Sequence, residues 1–191
     1  MNSFYYFPTV IYRDEQPQFV DSLIKFSKNY FQQDENICQT NNMVKEKNIS
    51  FFVDYLKINA ESILLNQGYL TEKYEIYVSY IWGQRLKYGT NVHVHKNSQL
   101  CGWIFLKTPV NGSYPLFYDP RLNKKMIEMD YIENENVNIS TSIINFNNIK
   151  PGTILLTNSW LEHQLTPSKS EELTETLHFI ISCKEKLCNM Y

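Results

Sequence analysis

The sequence predicts an α+β protein that is mainly β, an antiparallel sandwich or barrel with helices at its N-terminal end. Apolar residues recur at three- and four-residue intervals only before Gly68, and beyond it they alternate in short runs. The chain has 191 residues, 43% of them apolar and 15% aromatic, which supports one domain with its own core and excludes a disordered chain.

From Pro17 the segment places Phe19, Leu23, Phe26 and Tyr30 on one face of a first helix. From Ser50 a second helix carries Phe52, Tyr55, Leu56, Ile63 and Leu64, with Ser50 as its expected N-cap and Gly68 just past its end. The period then becomes two, with Tyr74, Ile76, Val78, Tyr80 and Trp82 on one side of a strand. Further strand-length runs lie at 91–95, 100–106, 115–118, 153–158 and 176–182, separated by Gly, Pro, Asn and Ser. The expected organisation is a single domain over 1–191, with a helical part to about residue 70 and a barrel core over about 71–183. Residues 122–148 are charged and Asn-rich, with Lys124, Lys125, Glu128, Asp130, Glu133 and Glu135 and no clean period, and form a candidate lid.

The 18 basic and 20 acidic residues give a formal charge of −2, so no long-range positive field favours nucleic acid or an anionic membrane. The four cysteines, Cys38, Cys101, Cys183 and Cys188, lack C-x-x-C spacing, and the N-terminus MNSFYYFPTV has no basic region followed by a long apolar run. Reduced thiols in a cytoplasm are therefore expected. The longest apolar stretches, such as Ile154 to Leu156, are strand-sized, so no membrane helix is expected. The helices would cover the barrel or form a dimer interface, which leaves monomer and homodimer both open.

The chemistry-bearing residues come in three blocks. In N-V-H-V-H-K-N-S, His93 and His95 lie two apart, a spacing that points both to one face of a strand. Asp119 closes P-L-F-Y-D-P-R, where Pro120 ends the strand directly after the carboxylate. His163 follows P-G-T-I-L-L-T-N-S-W-L-E-H, a turn and strand that would carry it beside the others. Imidazoles with a carboxylate, leaving one face of an octahedron open, suit a non-haem Fe(II) ion.

Together, H-V-H-K-N-S-Q-L-C-G-W-I-F-L-K-T-P, L-F-Y-D-P-R and K-P-G-T-I-L-L-T-N-S-W-L-E-H-Q-L-T-P resemble the small 2OG-Fe(II) oxygenases found in many phages and marine bacteria. The likeness runs from about Phe4, through W-G-Q-R-L-K-Y-G, to about Ser182. It implies a double-stranded β-helix of the jelly-roll or cupin-like kind, with the N-terminal helices packed on one sheet. It also implies Fe(II), 2-oxoglutarate as cosubstrate, dioxygen, and hydroxylation of a small molecule or peptide. The implied ligands are His95 or His93, Asp119 and His163, with three histidines and Asp119 beside them as a variant.

One block departs from the pattern. Relatives carry an Arg and, two residues later, a Ser on the last core strand to clamp the distal carboxylate of 2-oxoglutarate, whereas this chain has Thr176 and His178. The charge-assisted bidentate fork is missing. Thr176 and His178 could donate instead, and a cation could come from Arg85, Lys107 or Arg121, the last equally suited to a salt bridge with Asp119. Cys101 replaces the usual Ser before Gly102, and both read as packing positions; Trp160, next to His163, reads as a pocket-lining residue. The competing functional class is a cupin-type barrel holding Zn, Ni or Mn through His93, His95 and His163 as an isomerase or sensor, and a third is a catalytically inactive structural relative.

Overall fold

The change of period at Gly68 is also where helices give way to strands. The structure is a computed structural model describing residues 9–31, 39–121 and 142–186. Helix α1, Val20–Lys28, follows a 3-10 turn over Pro17–Phe19 and buries Leu23 and Phe26. Helix α2, Ser50–Asn66, buries Phe52, Leu56, Ala60, Ile63 and Leu64.

Ser50 is not the N-cap that the sequence suggests. A 3-10 turn over Lys47–Ile49 runs straight into the helix, and the Ser50 N–H donates to the Lys47 carbonyl while Ile49 takes the cap position without a side-chain bond. The C-terminal end behaves as expected. Gly68 has φ +89°, its N–H donates to the Leu65 carbonyl, and the Tyr69 N–H donates to the Leu64 carbonyl, the paired bonds of a Schellman motif.

The strands of the described residues are β1 (Ile11–Glu15), β2 (Tyr74–Leu86), β3 (Leu100–Lys107), β4 (Pro115–Tyr118), β5 (Ile143–Asn145), β6 (Thr153–Asn158), β7 (His163–Leu165) and β8 (Thr174–Glu185). They form a five-stranded sheet in the order β1-β6-β3-β8-β2 and a three-stranded sheet in the order β5-β4-β7. All the strand pairs are antiparallel.

The larger sheet is buried on both faces. Leu100, Ile104, Ile154, Leu156, Leu177 and Phe179 pack against α1 and α2 through Leu23, Phe52 and Leu56. Trp103, Phe105 and Leu155 point the other way and meet Phe117, Leu161 and Leu165 of the smaller sheet and its loops. This double burial is why β3 reads as an unbroken apolar run.

Two features set the barrel interior. A Cβ at Gly102 would lie 2.0 Å from the Leu155 carbonyl oxygen, so only glycine lets β3 and β6 approach this closely. A bulge between Val78 and Tyr80 shifts the register of β2 against β8. The alternation expected over Tyr74–Trp82 therefore breaks: Ile76, Val78 and Ile81 join the helix-facing core, and Trp82 turns inward.

The run at 91–95 is not a full strand but one isolated bridge, His93 to His163. Positive φ at Gly89 (+75°) and Asn97 (+60°) turns the chain on either side and leaves His93 to pair alone. Most of the candidate lid, residues 122–141, lies outside the described residues. Its final part contains β5, paired with β4. Among the described residues, no helix is long and apolar enough to cross a membrane.

Candidate metal centre

The chain has four histidines, and the fold gathers all of them. His93 and His163 face each other across the isolated bridge, each donating its backbone N–H to the other's carbonyl at 3.0 and 3.1 Å. The His95 N–H donates to the Ser159 carbonyl, which fixes the second member of the pair next to the same turn. His178 arrives from the middle of β8, opposite Trp82 of β2 and Trp103 of β3. Ring centroids are 4.5 Å apart for His93 and His163, 5.0 Å for His93 and His95, 5.2 Å for His95 and His163, and 4.8 Å for His95 and His178.

The tautomers are set by the backbone. His163 Nδ1–H donates to the Leu161 carbonyl and His93 Nδ1–H to the Asn91 carbonyl, both at 2.7 Å, which leaves each Nε2 with a lone pair. The Nε2 atoms of His163 and His95 lie 3.3 Å apart. Two nitrogens on one ion at roughly 2.1 Å, at a right angle, would be about 3.0 Å apart, so this separation nearly matches a shared ion.

Burial keeps the rings of His95, His163 and His178 neutral. Desolvation first, then the charge of His93, lowers the His95 pKa to about 4. Desolvation lowers that of His163 to about 3 despite its bond to Leu161, with His93 and His95 adding to the fall. His178, 1% exposed, is pushed well below the ordinary histidine range, again by burial first. Neutral imidazoles are the form that binds a metal, so no proton has to be displaced near neutral pH.

Among the described residues, the donor atoms of His95, Cys101, His163 and His178 all lie within 4.8 Å of one another. The Cys101 thiol is fully buried and its pKa is raised to about 12 by desolvation, so without an ion it stays protonated. That set contains neither His93 nor Asp119. Asp119 lies one residue past the end of β4, and Arg121 holds its carboxylate through the guanidinium at 2.9 and 2.6 Å and its own N–H at 2.9 Å.

The remaining sequence candidates divide by sheet face. Thr176 is buried on the same face as His178 and its hydroxyl lies 3.5 Å from Gln84 Oε1. Arg85 is on the opposite, helix-facing side, with its guanidinium over the Phe31 ring at 4.1 Å and an ion pair to Glu175 at 3.2 Å. Lys107 follows a second bulge at the end of β3 and pairs with Glu172 at 2.9 Å. The structure thus brings His93, His95, His163, His178 and Thr176 to the barrel interior, and engages Arg85, Lys107 and Arg121 with carboxylates.

Sequence reasoning missed three neighbours. Trp82 stacks on His178 with centroids 4.3 Å apart, and Trp103 lies 4.9 Å from His178 and 5.1 Å from His163. Both indole N–H groups, like His178 Nε2, are buried without a partner among the described residues. Cys101 is the third, and its inward alternation with Trp103 and Phe105 was the available signal. Trp160 is half exposed, at 52%.

Comparisons place this geometry among known folds. Crystal structures of AviO1 from Streptomyces viridochromogenes Tue57 (TM-score 0.63, 9% identity, 91% of this chain and 90% of that one) and EvdO2 from Micromonospora carbonacea var. aurantiaca (0.61, 12%, 94% and 89%) resemble it. So does the viral collagen prolyl hydroxylase of Paramecium Bursaria Chlorella virus-1 (TM-score 0.55, 15% identity, 95% and 99%). The fold they share with this chain is the double-stranded β-helix, here with two antiparallel sheets that do not close. No curated protein matches the sequence. The family model described as "Putative 2OG-Fe(II) oxygenase" matches residues 80–179, which hold all four histidines and more than half of the sequence, and the chain therefore belongs to the 2OG-Fe(II) oxygenase family of that description.

Proposed function

We propose that this protein is an Fe(II)- and 2-oxoglutarate-dependent oxygenase that hydroxylates a small molecule or peptide. The observation that carries the reading is the 3.3 Å approach of the His95 and His163 Nε2 atoms inside the barrel. These two imidazoles would hold the ion, with Asp119 oriented by Arg121 at the end of β4 and His93 beside His163.

When bound, Fe(II) with 2-oxoglutarate and dioxygen supplies oxidising power that the side chains lack. The chain contributes geometry and a dry site. The backbone carbonyls of Asn91 and Leu161 fix the ring orientations, while Trp103 and Phe117 exclude water from the inner side of His163. A carboxylate of the cosubstrate would meet neutral donors, the Thr176 hydroxyl and the buried indole N–H groups of Trp82 and Trp103, in place of a guanidinium fork.

Purified protein supplied with Fe(II), ascorbate and 2-oxoglutarate should release succinate well above a His163→Ala control. Equal rates would contradict the reading. The engagement of Arg85, Lys107 and Arg121 with carboxylates favours a second reading, a cupin-type barrel holding Zn, Ni or Mn. Isolation with stoichiometric zinc and no response to 2-oxoglutarate would select it.

A further inference from the structure

We propose that His178 is itself a metal ligand, so that His95, His163 and His178 hold the ion as three imidazoles. The inference rests on the metal centre of the preceding reading and not on its cosubstrate.

Three observations carry it. The first is proximity: ring nitrogens of these residues fall in the set whose donor atoms lie within 4.8 Å of one another. Ligands on a first-row ion at roughly 2.1 Å sit about 3.0 to 3.4 Å apart, so side-chain shifts of about an ångström close the site. The second is an unmet need. His178 is 1% exposed and its Nε2 has no partner among the described residues, and an unsatisfied polar atom in such a place costs about 1 to 3 kcal/mol. A bound ion would satisfy it.

The third is orientation. Strand β8 is flanked on both sides, and the His178 ring lies between Trp82, stacked at 4.3 Å and 25°, and Trp103 at 4.9 Å. These neighbours hold it toward His95 rather than letting it swing away. A packing role would be filled as well by an apolar residue, which would leave no buried nitrogen unpaired.

The consequence is electrostatic. Three neutral imidazoles leave a divalent ion its full charge, whereas a carboxylate ligand would halve it, so the open positions gain affinity for anionic chelators. The Cys101 thiol stands beside the same donors and offers a soft contact to a thiophilic ion.

The test uses the untagged apo protein and Co(II) alone, followed by its visible d–d absorption. His178→Gln should weaken Co(II) binding at least tenfold and change the band shape, while Gly68→Ala, just past the end of α2 and away from the site, should bind within threefold of the parent. Unchanged binding by His178→Gln, or an equal loss in Gly68→Ala, would overturn the proposal. Because a core substitution can disturb folding, nitrogen-15 imidazole spectra of the unaltered protein give an independent reading. On Zn(II) loading, a His178 ring nitrogen should shift together with those of His95 and His163, and an unmoved His178 would overturn the proposal whatever the variant does. A His178-dependent Co(II) spectrum without succinate release would leave this inference standing and remove the oxygenase reading.

Discussion

Gly102 and His163 show how single residues set the site. At Gly102 a methyl group would sit 2.0 Å from the Leu155 carbonyl oxygen, in the same stretch of β3 that aims Cys101 and Trp103 inward. Gly102→Ala should therefore destabilise the protein by about 2 to 4 kcal/mol, read as a lower urea midpoint, because backbone and not a flexible side chain must move. His163 is fully buried, with Nδ1 committed to Leu161 and Nε2 toward His95. His163→Ala should reduce metal affinity at least a hundredfold by equilibrium dialysis and abolish succinate release. At this scale the histidines His93, His95 and His163 were legible as short-range motifs, and the structure brings their rings within about 5 Å of one another. His178 was legible as a candidate donor to the cosubstrate, and not as a neighbour of the other three. Its convergence on the other three depends on the pairing of β8 with β2 and β3, which no local spacing reveals.

Elements were legible in proportion to how simply they are buried. The strands β4 and β6 coincide with the runs read from the sequence at 115–118 and 153–158. Strand β1, IYRDE, carried no such signal because it pairs at the sheet edge with β6 and keeps a polar half. The bulge in β2 was also hidden, since an extra residue leaves composition unchanged while it reverses the facing of everything after it. The end of α2 was readable because its stop requires a left-handed residue. Gly68 has φ +89° with open space around its Cβ position, so Gly68→Ala should cost about 1 to 2 kcal/mol from backbone strain alone, with unchanged metal binding. Chemical denaturation and Co(II) titration of the same sample check both halves of that expectation.

For the whole molecule, the buried neutral histidines couple folding to pH. In the unfolded chain these rings have ordinary pKa values near 6.5, whereas in the fold those of His95 and His163 fall to about 4 and about 3. Between these limits the unfolded chain binds more protons, so stability is fully present above about pH 6.5 and is lost as pH falls toward 3. Each such group adds a slope of up to about 1.4 kcal/mol per pH unit. Thermal melts of the apo protein should therefore drop steadily from pH 7 to pH 4, and the drop should shrink in His163→Gln. A divalent ion should raise the melting temperature at pH 7 and lose that effect as acid competes for the imidazoles.

The proposed site draws its imidazoles from three separate segments, with His95 in the loop after β2, His163 in β7 and His178 in β8. Diffraction from crystals of the metal-loaded protein, collected at the absorption edge of the ion, tests this most directly. One strong anomalous peak within bonding distance of His95 and His163 Nε2 is the predicted result. A fully loaded crystal whose peak lies away from both imidazoles would contradict it.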